Sequence, residues 1–175
     1  MEIEVIGVSD REQEAQVGGE IQLVVFRIKD EEFGLPIQRV REIIKVPHIT
    51  HLPHSADYVE GVINLRGDVM PVVNLRVRFG LPARENNDRT RIIIVEFAAG
   101  QVGLVVDEVT EVLRLPHEQI GPPPAHVAGL RTELISGVGK LDDRLLILLE
   151  VDHLLSSDDD ILFDDVALAA AAARE

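Results

Sequence analysis

The chain has 175 residues, 46% of them apolar, which suits one domain or two small ones with a real core. It has no cysteine, which excludes disulfides, thiolate zinc sites and cysteine nucleophiles and fits a reducing compartment. Its net charge of −14 lies mainly in the ends, −5 in residues 1–20 and −5 in residues 156–175, and so acidic a chain is a poor nucleic-acid binder because phosphate contacts need clustered Lys and Arg.

Residues 1–20 are polar, end near Gly18-Gly19 and read as a flexible leader; they lack the basic and apolar regions of a secretory signal. From Ile21, "IQLVVFRIKDEEFGLPI" reads as strand, acidic turn, strand, and "RVREIIKV" as a further extended segment stopped by Pro47. "SADYVEG" reads as one helical turn, capped by Ser55 and ended by Gly61. "VINLRGDVMPVV" reads as a hairpin with Gly67-Asp68 as a type II′ loop. "NLRVRFGL" is a short helix capped by Asn74 and stopped by Gly80, followed by a polar linker over 82–90.

"RIIIVEF" is apolar without alternation, as expected of a strand buried on both faces. "VGLVVDEVTEVLRL" is extended again, and "GPPPAHVAG" is a rigid loop. "LISGVGKL" and "RLLILLEV" form a hairpin around Asp142-Asp143, and "DHLL" starts a helical turn. The tail, 156–175, carries two acidic clusters around "ILF" and an Ala-rich end; it reads as a solvated, fraying segment. No apolar run reaches membrane-spanning length, so a soluble cytoplasmic protein is expected.

Five Phe, one Tyr and no Trp leave a core of Val, Ile and Leu, which favours strands. The halves also repeat. "FGLPIQRVREII" (33–44) matches "VGLVVDEVTEVL" (102–113) at an offset of 69, and "GVINLRGDVMPVV" (61–73) matches "GVGKLDDRLLILL" (137–149) at an offset of 76. The expectation is all-β: two five-stranded, SH3-like barrels packed together, subdomain 1 over about 21–82 and subdomain 2 over about 83–155, with terminal strands open to exchange.

The chemical motifs are weak. His48, His51 and His54 have HxxHxxH spacing, but nearby prolines disfavour the helix that would gather them, and an incidental loop outweighs a metal site. Arg66-Gly67-Asp68 spells RGD, yet turn chemistry accounts for it without an adhesion role. No nucleotide-binding, metalloprotease or nucleophile-elbow motif occurs, and the pairs Asp107/Glu108 and Asp142/Asp143 read as exposed turns or opposite strand faces. A binding module is expected, with no catalytic residue, cofactor or metal. Glu42 and Arg66 stand out as an exposed ion pair or a partner contact.

"FRIKDEEFGLPIQRVREII", "LPHSADYVEGVINLRGDVMPVVNLRVRFGL", "GLVVDEVTEVLRL" and "RLLILLEVDHLL" together resemble the CheW family of bacterial chemotaxis coupling proteins, from about Val24 to Leu155. No kinase or receiver segment accompanies the match, so the likeness is to the stand-alone form. The resemblance implies a non-catalytic adaptor between methyl-accepting receptors and the CheA histidine kinase regulatory domain. It also implies a cytoplasmic protein recruited to membrane receptor arrays, with neither nucleic-acid binding nor membrane insertion. By position it places receptor contacts at Val40, Glu42, Gly61, Arg66 and Val112, and kinase contacts at Ile37, Ile43 and His126. An output through pili or another non-flagellar system is the alternative, and a metal-binding barrel a remoter one.

Overall fold

The computed structural model describes residues 19–53, 56–97, 100–123 and 132–154. Most of the leader, the tail, His54 and His126 lie outside the described residues. Eleven strands run in chain order among those described: β1 Glu20–Ile28, β2 Glu31–Pro36, β3 Val40–Lys45, β4 Val59–Leu65, β5 Asp68–Asn74, β6 Arg91–Phe97, β7 Gly100–Val106, β8 Glu108–Pro116, β9 Ile120–Gly121, β10 Ile135–Leu141 and β11 Arg144–Leu149. One α-helical turn, α1, spans Leu75–Arg78, and short 3-10 turns follow β2, β8 and β11.

The strands form a six-stranded sheet, β8-β1-β2-β11-β10-β9, and a five-stranded sheet, β3-β6-β7-β5-β4. The all-β expectation therefore holds, although neither sheet closes through a continuous ladder. The halves 21–82 and 83–155 are not the two sheets. Each half sends its first two strands, β1–β2 or β6–β7, into the sheet that holds the last two strands of the other half. Two parallel pairs seal this exchange, Val72 opposite Gly103 and Leu148 opposite Gly34. These contacts are equivalent under the sequence repeat, and the exchange makes the two halves mutually dependent.

The repeat extends to irregularities. β3 and β8 each carry a bulge, where Arg41 and Thr110 are skipped in the register. β4 and β10 carry another pair, at Glu60 and Ser136. Bulges bend and twist a strand, so equivalent bulges give both sheets the same curl.

Alternation assigns the core. Val24, Phe26 and Ile28 of β1 join Ile93, Val95, Leu104 and Val106 in a central cluster shared by both sheets. Leu23 and Val25 point the other way, into a cluster with Leu115, Leu146 and Leu148. Ile92 and Ile94 enter the corresponding cluster of the five-stranded sheet with Ile63, Met70 and Val72. "RIIIVEF" lacks alternation because both faces of β6 are buried. Phe26, Phe33 and Phe79 stack in series in the central core, with ring centroids 5.7 and 5.2 Å apart.

Two local expectations change. The segment before Gly61 is strand, not helix: β4 begins at Val59, and Asn74 N–H bonds the Tyr58 carbonyl at 2.7 Å, while Ser55 lies outside the described residues. The hairpin loop is Arg66-Gly67 rather than Gly67-Asp68. Both loop residues have positive φ, 53° and 91°, which a type I′ turn requires and which matches strand twist better than the alternative. The Asp142-Asp143 loop is where the sequence places it, with Asp142 at φ 37°. The helix after Asn74 also forms as expected, and the Asn74 side chain accepts from the Val77 N–H at 3.3 Å.

Candidate functional site

The five-stranded sheet curls until its two edge strands approach. Past the end of β3, Thr50 and Val62 of β4 exchange two backbone hydrogen bonds of 2.9 and 2.8 Å. This junction explains Gly61. A Cβ there would stand 2.0 Å from the Thr50 carbonyl oxygen, and its φ of 151° is itself unfavourable for a side chain. Gly61 is thus a point of close backbone approach beneath the surface.

Beside the junction, Arg66 reaches from the β4–β5 turn to Glu42 on β3. Its guanidinium donates two hydrogen bonds to the carboxylate, at 2.5 and 3.2 Å. The Arg66 side chain is 69% exposed and that of Glu42 33%, so the pair is a solvent-screened surface feature that contributes little to stability. The hydrogen bond to Glu42 and its charge hold the Arg66 pKa above its ordinary value, so the guanidinium stays charged within the pair.

The remaining expected contacts divide by burial. Val40 and Ile37 are each 5% exposed and belong to the central core, so they shape the surface from beneath. Ile43 is half-buried and packs on that core from the β3 edge. Val112 is 39% exposed and lies opposite Val24, a central-core residue, at the outer edge of the six-stranded sheet. The structure therefore joins Glu42 to Arg66 directly, puts Gly61 at the separate Thr50 junction of β4, and places Val112 on the other sheet. His126 lies outside the described residues.

Asp107 is not in an exposed turn. Its side chain is 13% exposed, at the break between β7 and β8, and Arg76 of α1 grips it with hydrogen bonds of 2.8 and 2.6 Å. The Lys29 backbone N–H also donates to it at 2.7 Å, and Arg84 stands 3.7 Å away. Burial pushes the Asp107 carboxyl pKa up, but these donors and positive charges outweigh it and hold it below the usual value. The cluster ties the β1–β2 turn, α1 and the crossing between the sheets.

Sequence reasoning also missed the counterpart of the Glu42–Arg66 pair. Glu111, equivalent to Glu42, accepts from Arg144 at 3.1 Å, and Arg144 bonds Glu32 at 2.6 Å. The repeat alignment of Glu42 with Glu111 was the available signal. Arg144 lay two residues past Asp142, the position compared with Arg66, and so escaped notice. Among the described residues, no group of three or more His, Asp or Glu gathers where it could hold a metal ion. No described helix is long and apolar enough to cross a membrane.

A family model for the CheW-like domain matches residues 22–159. The chemotaxis protein CheW of Klebsiella aerogenes is 38% identical over 146 residues, 83% of this chain and 88% of that protein. CheW of Bacillus subtilis is 34% identical over 137 residues, 78% of this chain and 88% of that protein. The crystal structure of the scaffolding protein TtCheW from Thermoanaerobacter tengcongensis superimposes with a TM-score of 0.74 at 37% identity, covering 79% of this chain and 94% of that one. By family match, curated relatives and solved structure alike, this chain belongs to the CheW-like family of chemotaxis proteins.

Proposed function

We propose that the chain is a non-catalytic adaptor that couples methyl-accepting chemoreceptors to the CheA histidine kinase, recruited from the cytoplasm to receptor arrays. The family membership carries the chemotaxis scaffold role. The observation that supports the receptor surface is the exposed Glu42–Arg66 pair mounted on the closing seam of the five-stranded sheet. The same two strand edges are also joined further along by the close backbone approach of Gly61 to Thr50. Val40 anchors the start of β3 in the core, and Val112 adds apolar surface on the other sheet. Charges of this kind fix register while apolar contact supplies holding energy.

For the kinase, Ile43 is the accessible candidate, Ile37 supports it from the core, and His126 completes the expected set. No sheet or junction in this reading calls for turnover: the side chains named bind and position partners.

The decisive experiment is reconstitution of receptor-dependent CheA autophosphorylation with and without the purified chain. Stimulation of kinase activity by the chain, in the presence of receptor, is the expected result. Kinase activity that ignores the chain removes the adaptor reading.

A further inference from the structure

Arg39 ends the 3-10 turn after β2 and stands immediately before β3, the strand that carries Glu42 and Ile43. Its side chain is 28% exposed and holds two chain segments at once. Nε and Nη2 donate to the Glu96 carbonyl, near the end of β6, at 3.2 and 2.8 Å. Nη1 and Nη2 donate to the Asp152 carboxylate at 3.3 and 2.7 Å, the two-pronged geometry that suits arginine and not lysine. Arg41, the bulged residue of β3, bonds the Glu96 side chain at 2.7 Å. A bulge re-aims the side chains beside it, and Glu42 is the next residue. That bulge is gripped through Glu96 by two arginines, and through Arg39 it is tied to Asp152.

Asp152 sits on a firm mount, the 3-10 turn Val151–His153 after β11. Val151 is 2% exposed and Leu154 fully buried, both in the central core. The Glu150 N–H donates to the Leu134 carbonyl at 2.9 Å, and Arg78 Nε donates to the Leu154 carbonyl at 2.5 Å. The hydrogen bonds and charge of Arg39 hold the Asp152 carboxyl below its ordinary pKa. The second half of the chain thus braces the edge strand of the first. The repeat shows that a bulge of this kind forms without the brace. At the matching bulge of β8, Glu108 and Thr110 stand where β3 has Arg39 and Arg41, at the offset of 69. Thr110 Oγ1 donates there to the Val25 carbonyl at 3.2 Å, and an acid at 108 cannot repeat the Arg39 contacts.

We propose that Arg39 is a positioning residue for partner binding: with Asp152 it forms a latch that fixes the β3 bulge and so the aim of Glu42 towards Arg66. The role rests on the adaptor reading above, in which Glu42 and Arg66 face the receptor.

The test uses the full chain and its variants. Asp152→Ala removes the far end of the latch at a side chain that is 60% exposed, without touching β3. Arg39→Ala removes the near end, and Asp152→Glu keeps a carboxylate for rescue. The Arg66 Nε–Hε NMR signal and the Glu42 and Ile43 amide signals report the aim of the pair. Titration calorimetry with a receptor signalling fragment reports binding. Asp152→Ala should move those signals and weaken binding about fivefold, as expected of residues that act as one network. Arg39→Ala should do at least as much, the two together no more than Arg39→Ala alone, and Asp152→Glu should recover most of the affinity. If Asp152→Ala lowers the melting temperature but leaves the signals in place, Asp152 serves stability alone and the proposal falls. Additive losses in the double variant, or signals that move while affinity holds, overturn it as well. A wild-type chain that does not bind the fragment overturns the adaptor reading instead, while the NMR signals still decide whether the latch aims Glu42.

Discussion

The two sheets solve one problem with different residues. In the six-stranded sheet the closing segment is a strand of its own, with β9 Gly121 and Ile120 opposite Val138 and Gly139. In the five-stranded sheet the equivalent segment has shrunk to one bridge, Thr50 with Val62. The glycines under these junctions occupy matched places, yet Gly61 would put a Cβ 2.0 Å from a carbonyl oxygen while Gly137 would put one 2.9 Å from its own. The rims also differ. Glu42 meets a single exposed arginine, whereas Glu111 shares Arg144 with Glu32. The curl is fixed by shared bulges and parallel pairs, so the rim chemistry is free to diverge. One rim is tied into its own sheet and the other keeps its charges outward.

The largest expected effect tests the floors. Gly61→Ala should destabilise the protein by more than about 3 kcal/mol, because backbone must move to admit the methyl group, while Gly137→Ala should cost about 1–2 kcal/mol. Urea denaturation of both variants measures the difference, and equal losses would mean that the two junctions are mechanically alike.

Next comes the clamp between the sheets. Arg76→Ala leaves Asp107 largely buried, with only Arg84 and the Lys29 N–H to hold its charge, and should cost about 2–4 kcal/mol by the same measurement. The depressed Asp107 pKa gives the sign with pH. Its contribution is present above the ordinary carboxylate value and is lost as pH falls through the folded value. Acid titration of the wild type should therefore show a loss of stability below about pH 4 that Arg76→Ala largely lacks.

The rims give smaller changes in stability and a larger one in binding. Arg66→Asp should leave stability nearly unchanged and weaken binding to a receptor signalling fragment, followed by pull-down beside circular dichroism. Exchanging the charges, Glu42→Arg with Arg66→Glu, restores the internal pair. Binding that recovers would show that the pair acts by holding the seam; binding that stays weak assigns the individual charges to the partner. The smallest effect belongs to Leu145, 63% exposed on β11, where Leu145→Ser should change stability by less than about 0.5 kcal/mol.

Much was legible in the chain because repeats and alternation are local records. The apolar run of β6, the Asn74 cap and the matched strings at offsets 69 and 76 each state a burial or a backbone need at the residue itself. The Arg66-Gly67 loop was misplaced by one residue because Gly-first and Gly-second turns read alike until the register of Leu65 with Asp68 is known. Asp107 looked exposed because its partners, Arg76 and the Lys29 N–H, lie 31 and 78 residues away in sequence.

The sequence by itself determined an all-β chain with an aliphatic core, an internal repeat and a family resemblance, since each follows from residue type and spacing. Only the tertiary structure decided that the halves exchange strands, that Val40 and Ile37 are core, that Gly61 meets the Thr50 backbone and that Arg66 meets Glu42. Those outcomes depend on which distant backbones meet, and no local pattern encodes the distance between two strand edges.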